Sequence, residues 1–400
     1  VQQFDVVVIG AGPAGAQCAR QLTRAGRSVL VVEQHPDFAT HDFSSGGTPL
    51  ETLERFELPP SVVGQYWSKL AVRTSGASKI WISHSPLGAV LNFAKLRQFL
   101  VEAVQQQGGE VWMNCRFVGL EQTTTGVTLD LYQRGDRQTR TVQAQVVVDA
   151  TGPARAVMRP YTPPTASYLE GVGIEYLVRV PPETYARFQD SLAFYLGHYW
   201  MPKGYSWIFP MEPGLLKVGT CWFKRPHKLG LSATPAQKAI ELLLHKEIGG
   251  DYDLLDVHGA ALKYSERLQD VYHQGRAIAL GDAISAVNFL GGEGIRHGMA
   301  SADIAAQHLL TALQTNRYDF RAYERDIRRQ FDFTWKLTAR LGLKKYLADP
   351  DWKIDRIVRY VSRLDTQEVM DVLFEYQFQR VSQRLLRYLW LRLSSRLGLT

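Results

Sequence analysis

Gly10, Gly12 and Gly15 stand in G-x-G-x-x-G spacing, with Pro13 and Ala14 inside the motif and Glu33 further along the chain. Residues of these types in this order can hold a dinucleotide. Gly10 allows a tight turn, Gly12 lets backbone approach a pyrophosphate, and Gly15 lets a helix pack close to a strand. A helix that starts here offers free N–H groups and the positive end of its dipole to phosphates. Glu33 is spaced to accept the ribose hydroxyls of an adenosine. The elements that must position these groups are legible around them. "DVVVIG" is a short apolar run rich in β-branched residues, as a buried parallel strand should be. An alanine-rich helical stretch runs to Ala25, Gly26 follows, and "SVLVVE" makes a second strand ending at Glu33. The motif alone is common. With the strand before it, the helix after it and the acid at this distance, a dinucleotide site is expected.

Two later stretches narrow the dinucleotide. "AQVVVDATGPARAVMR" is a strand running into Asp149, Ala150, Thr151 and Gly152. "GRAIALGDAISAVNFLGGEGIRHGMASADIAAQHLL" is a strand, then Gly281 and Asp282, then the glycine turn Gly291, Gly292 and Gly294 leading through Ile295 into a long helix. From the start of the chain to about residue 310 the sequence resembles the single-Rossmann flavoproteins of the p-hydroxybenzoate hydroxylase superfamily. The resemblance implies FAD, with Asp282 at the ribityl and pyrophosphate. It places the glycine turn and the helix N-terminus against the isoalloxazine O2, where the dipole stabilises negative charge on reduced flavin. No second strand–GxGxxG–helix unit occurs, so electrons are expected from a transient NAD(P)H visit or from a protein donor.

"MPKGYSWIFPMEPGLLKVGTCWF" lies between the Asp149 and Asp282 stretches, where this superfamily inserts an antiparallel sheet over the flavin ring. Tyr205, Trp207, Phe209, Pro210 and Gly214, followed by Val218 and Gly219, resemble the YxWxFP pattern of the geranylgeranyl reductase branch. "NFLGGEGI" resembles that branch's NPLTGEGI turn. Strand alternation puts Tyr205, Trp207 and Phe209 on one face, where three flat rings would line a slot for an isoprenoid chain. They are the candidate catalytic residues. The resemblance implies hydrogenation of prenyl C=C bonds, with hydride delivered by reduced FAD and a proton added at the other alkene carbon. Isolated alkenes are poor electrophiles, so placement over the flavin and exclusion of water carry the rate. The chain departs from the branch at three places. Ser44-Ser45-Gly46-Gly47 stands where the branch has Cys–Gly–Gly, so Ser45 supplies no thiol. Phe93 replaces an arginine, and Arg97 replaces an aspartate, in the helix after "GAVLN". The stretch from about residue 315 matches no pattern of the family.

The expected fold is α/β (α+β). It comprises a discontinuous Rossmann-type FAD-binding domain (1–165 and 265–315, with some inserted substrate-side segments), an antiparallel substrate domain (166–264) and a helical C-terminal region (316–400). Other flavin chemistries compete. A halogenase uses a G-W-x-W-x-I-P segment near to "GYSWIFP" and a lysine, for which Lys79 is the candidate. A hydroxylase shares the same frame. A lycopene-cyclase-like enzyme needs an acidic motif, and none is evident. A protein that holds FAD as an assembly or binding factor without turnover is the alternative outside catalysis.

The chain has 400 residues, is 45% hydrophobic and carries a net charge of +7. No uninterrupted apolar run of about 18 residues occurs, so no spanning helix is expected. The apolar opening lacks a basic n-region and reads as a strand, not a leader. Cys18, Cys115 and Cys221 are far apart, with no CxxC pair, so neither disulfide nor metal is expected. These features point to the cytoplasm. Most of the excess charge sits at the end of the chain, where five arginines and no acid follow from Arg380 onward. "RVSQRLLRYLWLRLSSRLGLT" places Leu385, Leu386, Leu389, Trp390, Leu393 and Leu397 on one helical face, opposite Arg380, Arg384 and Arg387. A basic helix of this kind fits an anionic membrane surface. The expected partners are therefore a prenyl or other hydrophobic small molecule, that surface, and a protein docking on 316–400. Nucleic acid is not expected.

Overall fold

The computed structural model describes residues 1–39, 43–164, 166–231, 235–265 and 269–378. The expected α/β architecture is present. One eight-stranded sheet has as its spine the order His273–Gln274, Ala277–Ala279, Gln138–Asp149, Gln2–Ile9, Val29–Val32, Glu110–Trp112, with Val127–Gln133 added antiparallel on Gln138–Asp149 and Cys115–Gln122 antiparallel on Val127–Gln133. Gln2–Ile9 lies at its centre, parallel to both neighbours. Val6, Val7 and Val8 are fully buried, which is why this strand is an unbroken β-branched run instead of an alternating one. The helix Pro13–Arg24 follows it directly and packs on the helices Phe93–Gln106 and Ile295–Thr315.

A second, seven-stranded sheet runs Asp253–Tyr264, Leu169–Arg179, Leu215–Phe223, Gly204–Pro210, Ser191–Leu196, Lys69–Arg73, Ser78–Ile82. Its first five strands come from the stretch expected to form the substrate domain. The last two come from far earlier in the chain, and Lys69–Arg73 joins the sheet parallel to Ser191–Leu196. A third, small sheet runs Gly47–Pro49, Gly88–Leu91, Val63–Trp67.

The C-terminal region is helical as far as it is described: Arg321–Leu347, Asp351–Val361 and Thr366–Leu373. The first break falls at Asp349–Pro350, where proline cannot continue a helix. No helix of the described residues is long and apolar enough to cross a membrane. The arginine-rich stretch from Arg380, with its proposed apolar face, lies outside the described residues.

Candidate active site

The first strand ends at Gly10, whose φ of +106° turns the chain into the helix Pro13–Arg24. A Cβ at Gly10 would lie 2.3 Å from the Ala150 carbonyl oxygen, and one at Gly15 would lie 2.1 Å from the Gly10 carbonyl oxygen. A Cβ at Gly12 would meet nothing within 4 Å. The first and third glycines thus serve close packing, and the second leaves open space in front of the helix. Gly12 caps this helix and Gly294 caps Ile295–Thr315, and neither helix has a side-chain cap. Both N-termini open onto one cavity of about 350 Å³, so their unsatisfied N–H groups face the same space.

Of the expected cofactor residues, Gly12, Pro13, Ala14, Gly15, Gly152, Gly281, Asp282, Gly292, Gly294 and Ile295 line this cavity. Gly10, Glu33 and Gly291 are not among the lining residues. Glu33 is buried, accepts the Ala11 backbone N–H at 3.0 Å and the His35 N–H at 3.0 Å, and so ties the glycine turn to the second strand. Asp149 is also buried. Its carboxylate accepts from the Thr151, Val157 and Met158 backbone N–H groups (3.0, 3.0 and 2.8 Å) and from the Thr151 hydroxyl (2.6 Å), which shapes the loop carrying Gly152.

Asp282 is different. Among the described residues its carboxylate accepts no hydrogen bond, and burial pushes its pKa up against the pull of Arg155. A carboxylate in this position needs donors. The ribityl hydroxyls of FAD are such donors, and the two uncapped helix ends and the open space at Gly12 suit a pyrophosphate. The site therefore fits FAD on its own chemistry. When bound, FAD supplies two-electron hydride chemistry.

The aromatic strand forms the opposite wall. Tyr205 and Trp207 line the cavity, while Phe209 continues the same face against Phe194, with ring centroids 5.2 Å apart. The Tyr205 hydroxyl donates to the Gly291 carbonyl at 3.3 Å, and a Cβ at Gly292 would lie 2.3 Å from that hydroxyl. The Trp207 indole N–H donates to Glu175 Oε2 at 2.8 Å. Its ring lies over Gly219, where a Cβ would be 2.3 Å away. Glu175 faces Lys217 across 3.8 Å, and Lys217 Nζ donates to the Ser44 carbonyl at 2.6 Å. This holds the Ser44–Ser45 loop in the cavity wall beside Trp207.

Sequence reasoning did not find Glu175, Lys217 or the ring partners below. One signal was available: Glu175 follows Gly171 and Gly173 in strict alternation, which marks an inward charge. Cys221 also lines the cavity, opposite Tyr205 in the strand register. Burial pushes its thiol up to about 12 and holds the Tyr205 phenol well above its ordinary value, so both keep their protons at neutral pH. Phe93 lines the cavity too, with the Arg97 guanidinium 4.5 Å above its ring and donating to the Phe38 carbonyl. Lys79 lies on the edge strand Ser78–Ile82 and not in the cavity wall. Among the described residues no cluster of His, Cys, Asp and Glu is placed to hold a metal.

The family model described as "FAD binding domain" matches residues 83–331, more than half of the chain. The chain belongs to the FAD binding domain family. A second model, FAD dependent oxidoreductase, matches residues 5–159. Digeranylgeranylglycerophospholipid reductase of Haloferax volcanii is 29% identical over 394 residues, covering 92% of this chain and 91% of the relative. The enzyme of the same name from Methanosphaerula palustris is 26% identical over 333 residues, 76% of each chain. A geranylgeranyl bacteriochlorophyll reductase-like structure from Thermoplasma acidophilum shares the fold at a TM-score of 0.81 and 18% identity, covering 96% of this chain and 99% of the other. The p-nitrophenol 4-monooxygenase of Pseudomonas putida superposes at 0.71 with 17% identity, covering 94% and 98%. The protein is an FAD-dependent oxidoreductase, its cofactor is FAD, and its relatives are named as geranylgeranyl-type reductases, as the motifs implied.

Proposed function

We propose that this flavoenzyme reduces C=C bonds of a prenyl chain, of geranylgeranyl type, carried by a lipid at a membrane surface. One observation carries the reading. Five rings line the cavity, Tyr264, Phe289, Phe223, Tyr205 and Trp207, and Tyr346 packs against them from outside the lining: Tyr264 to Phe289 (5.3 Å between centroids), Phe289 to Phe223 (4.5 Å), Phe223 to Tyr346 (5.4 Å), Tyr346 to Tyr205 (5.7 Å) and Tyr205 to Trp207 (5.7 Å). Five of these six rings come from three sheet strands and the loop before the flavin turn. The sixth, Tyr346, comes from the C-terminal region. A ring-lined wall suits a long apolar chain with no polar handle along its length. The digeranylgeranylglycerophospholipid reductases, similar along most of their length, support the substrate class.

In this reading the rings hold one double bond at the flavin turn and exclude water. Tyr205 and Cys221 are protonated groups of the cavity wall, and Tyr205, hydrogen-bonded to the turn itself, is the candidate proton donor. Trp207, fixed by Glu175, orients the chain. The arginine-rich stretch from Arg380 would bring the enzyme to an anionic lipid surface, where such substrates reside. The test is direct. Protein reduced with dithionite without oxygen is mixed with geranylgeranyl lipids, and the flavin absorbance is followed. Reoxidation with formation of a product heavier by two hydrogens is expected. A reduced flavin that stays reduced with every prenyl lipid, yet is reoxidised by oxygen, would leave an FAD-holding binding factor as the better reading.

A further inference from the structure

The glycine turn that faces the flavin carries a buried charge that the reaction does not use. Glu293 sits between Gly292 and Gly294, both in the cavity wall, at the entrance of the helix Ile295–Thr315. A carboxylate there opposes the helix dipole, which otherwise presents positive potential to the cavity. The same turn of helix supplies the counter-charge. Arg296 grips Glu293 bidentately, Nε to Oε1 at 2.8 Å and the terminal nitrogen to Oε2 at 3.0 Å. Both side chains are only 8% exposed. His297 Nε2 lies 3.2 Å from the same Oε2, and the Tyr376 hydroxyl donates to it at 3.0 Å. Arg296 also donates to Glu375 at 2.9 Å and to the Phe374 carbonyl at 2.5 Å. The His297 ring stands edge-on to Trp335, with centroids 4.7 Å apart.

We propose that Glu293 and Arg296 are positioning residues whose balanced charges set the potential at the flavin turn, and that Phe374–Tyr376 of the C-terminal region closes this hub. Arg296 offsets the buried Glu293, while its second partner Glu375 is 41% exposed and screened by solvent, so the helix N-terminus still stabilises negative charge on reduced FAD. Glu375 and Tyr376 hold Arg296 and Glu293 in register. The C-terminal region is in this way part of the flavin site. A plain structural clamp accounts for the same contacts but makes a different forecast, because breaking a clamp has the same effect whichever partner is removed.

Redox titration of the FAD-loaded protein separates the two, and it needs no prenyl substrate, so its outcome is independent of the substrate reading. Glu293→Gln removes the negative charge and is expected to raise the flavin midpoint potential. Arg296→Gln leaves the carboxylate unbalanced and is expected to lower it. A tenfold change in the reduced-to-oxidised ratio at fixed poise, about 30 mV for a two-electron couple, is the scale to look for. Tyr376→Phe and Arg296→Lys keep the charges and should stay near the wild-type potential even if FAD binds more weakly by fluorescence titration. Should Arg296→Gln not fold, Glu293→Gln against Arg296→Lys carries the comparison. Midpoints that shift in the same direction in both charge variants, or that do not move in Glu293→Gln, overturn the proposal.

Discussion

Trp207 is fixed in two ways: its N–H by Glu175 and its ring by the absence of a side chain at Gly219. Neither constraint involves a residue of the flavin-facing turns. Trp207→Ala is therefore expected to cut the rate of flavin reoxidation by prenyl lipid at least about tenfold, with FAD content per protein unchanged. Removing a buried tryptophan costs about 3–5 kcal/mol of stability, so the protein should be less stable but still yellow. Trp207→Phe keeps a ring and should fall between. Loss of FAD in Trp207→Ala would mean the strand is only core. Lys345 makes a second case. It is half-buried, lies 4.2 Å over the Tyr346 ring, and burial pulls its pKa down to about 7. A lysine whose folded pKa lies below its unfolded one costs stability below about 7, and that cost disappears as pH rises toward 10.5. Lys345→Met should raise the melting temperature at pH 7, with the gain over wild type vanishing near pH 10.5. A gain that is the same at both pH values would trace to packing instead. What the sequence could show at this scale was which side chains share a face, since alternation is local. It could not show that Glu175, 32 residues before Trp207, lies beneath it, because that depends on strand register between distant segments.

At the scale of elements, the strand–turn–helix opening was almost fully legible, because each glycine there answers a local steric demand. The structure separates those demands, and the separation is measurable. Gly10→Ala places a methyl at positive φ and against the Ala150 carbonyl. Strained backbone of this sort costs about 1–3 kcal/mol before the clash is counted, so a clear drop in melting temperature is expected even without FAD. Gly12→Ala meets no protein atom. It should leave the melting temperature of the FAD-free protein unchanged and weaken FAD binding, because its methyl occupies the space in front of the helix end. Equal melting temperatures for the two FAD-free variants would contradict this division of labour. The seven-stranded sheet was less legible. Five strands came from the expected stretch, but Lys69–Arg73 and Ser78–Ile82 join its far edge after a long excursion. Nothing in their own residues says which sheet they extend. The replaced pair Phe93 and Arg97 could be flagged as a departure, but that the two stack on each other only the fold reveals.

On the scale of the whole molecule, the helical C-terminal region carried no motif that could be read from the sequence, although the Haloferax volcanii relative aligns over 92% of the chain and so reaches into it; its role was the least legible. Its residues are ordinary for packed helices, and their partners lie far back in the chain. The described part is integral: Tyr346 stacks on Tyr205 of the cavity wall, and Tyr376 reaches the glycine turn 291–294 through Glu293. Removing the chain from Arg380 onward spares both contacts and every described residue that lines the cavity. The truncated protein is therefore expected to bind FAD as the full chain does and to keep its melting temperature. What it loses is five arginines and a row of leucines with Trp390. Each arginine near an anionic surface is worth about 1 kcal/mol, so co-sedimentation with vesicles rich in anionic lipid should fall sharply. The full chain's binding should itself weaken with salt, since the screening length shrinks from about 10 Å at 0.1 M to about 3 Å at 1 M. Turnover of a short, detergent-dispersed prenyl substrate should survive the truncation, while turnover of the same group in a vesicle lipid should not. Full-length and truncated proteins that bind anionic vesicles equally would leave the arginine-rich end without a membrane role, as a docking segment for this fold or for a protein partner.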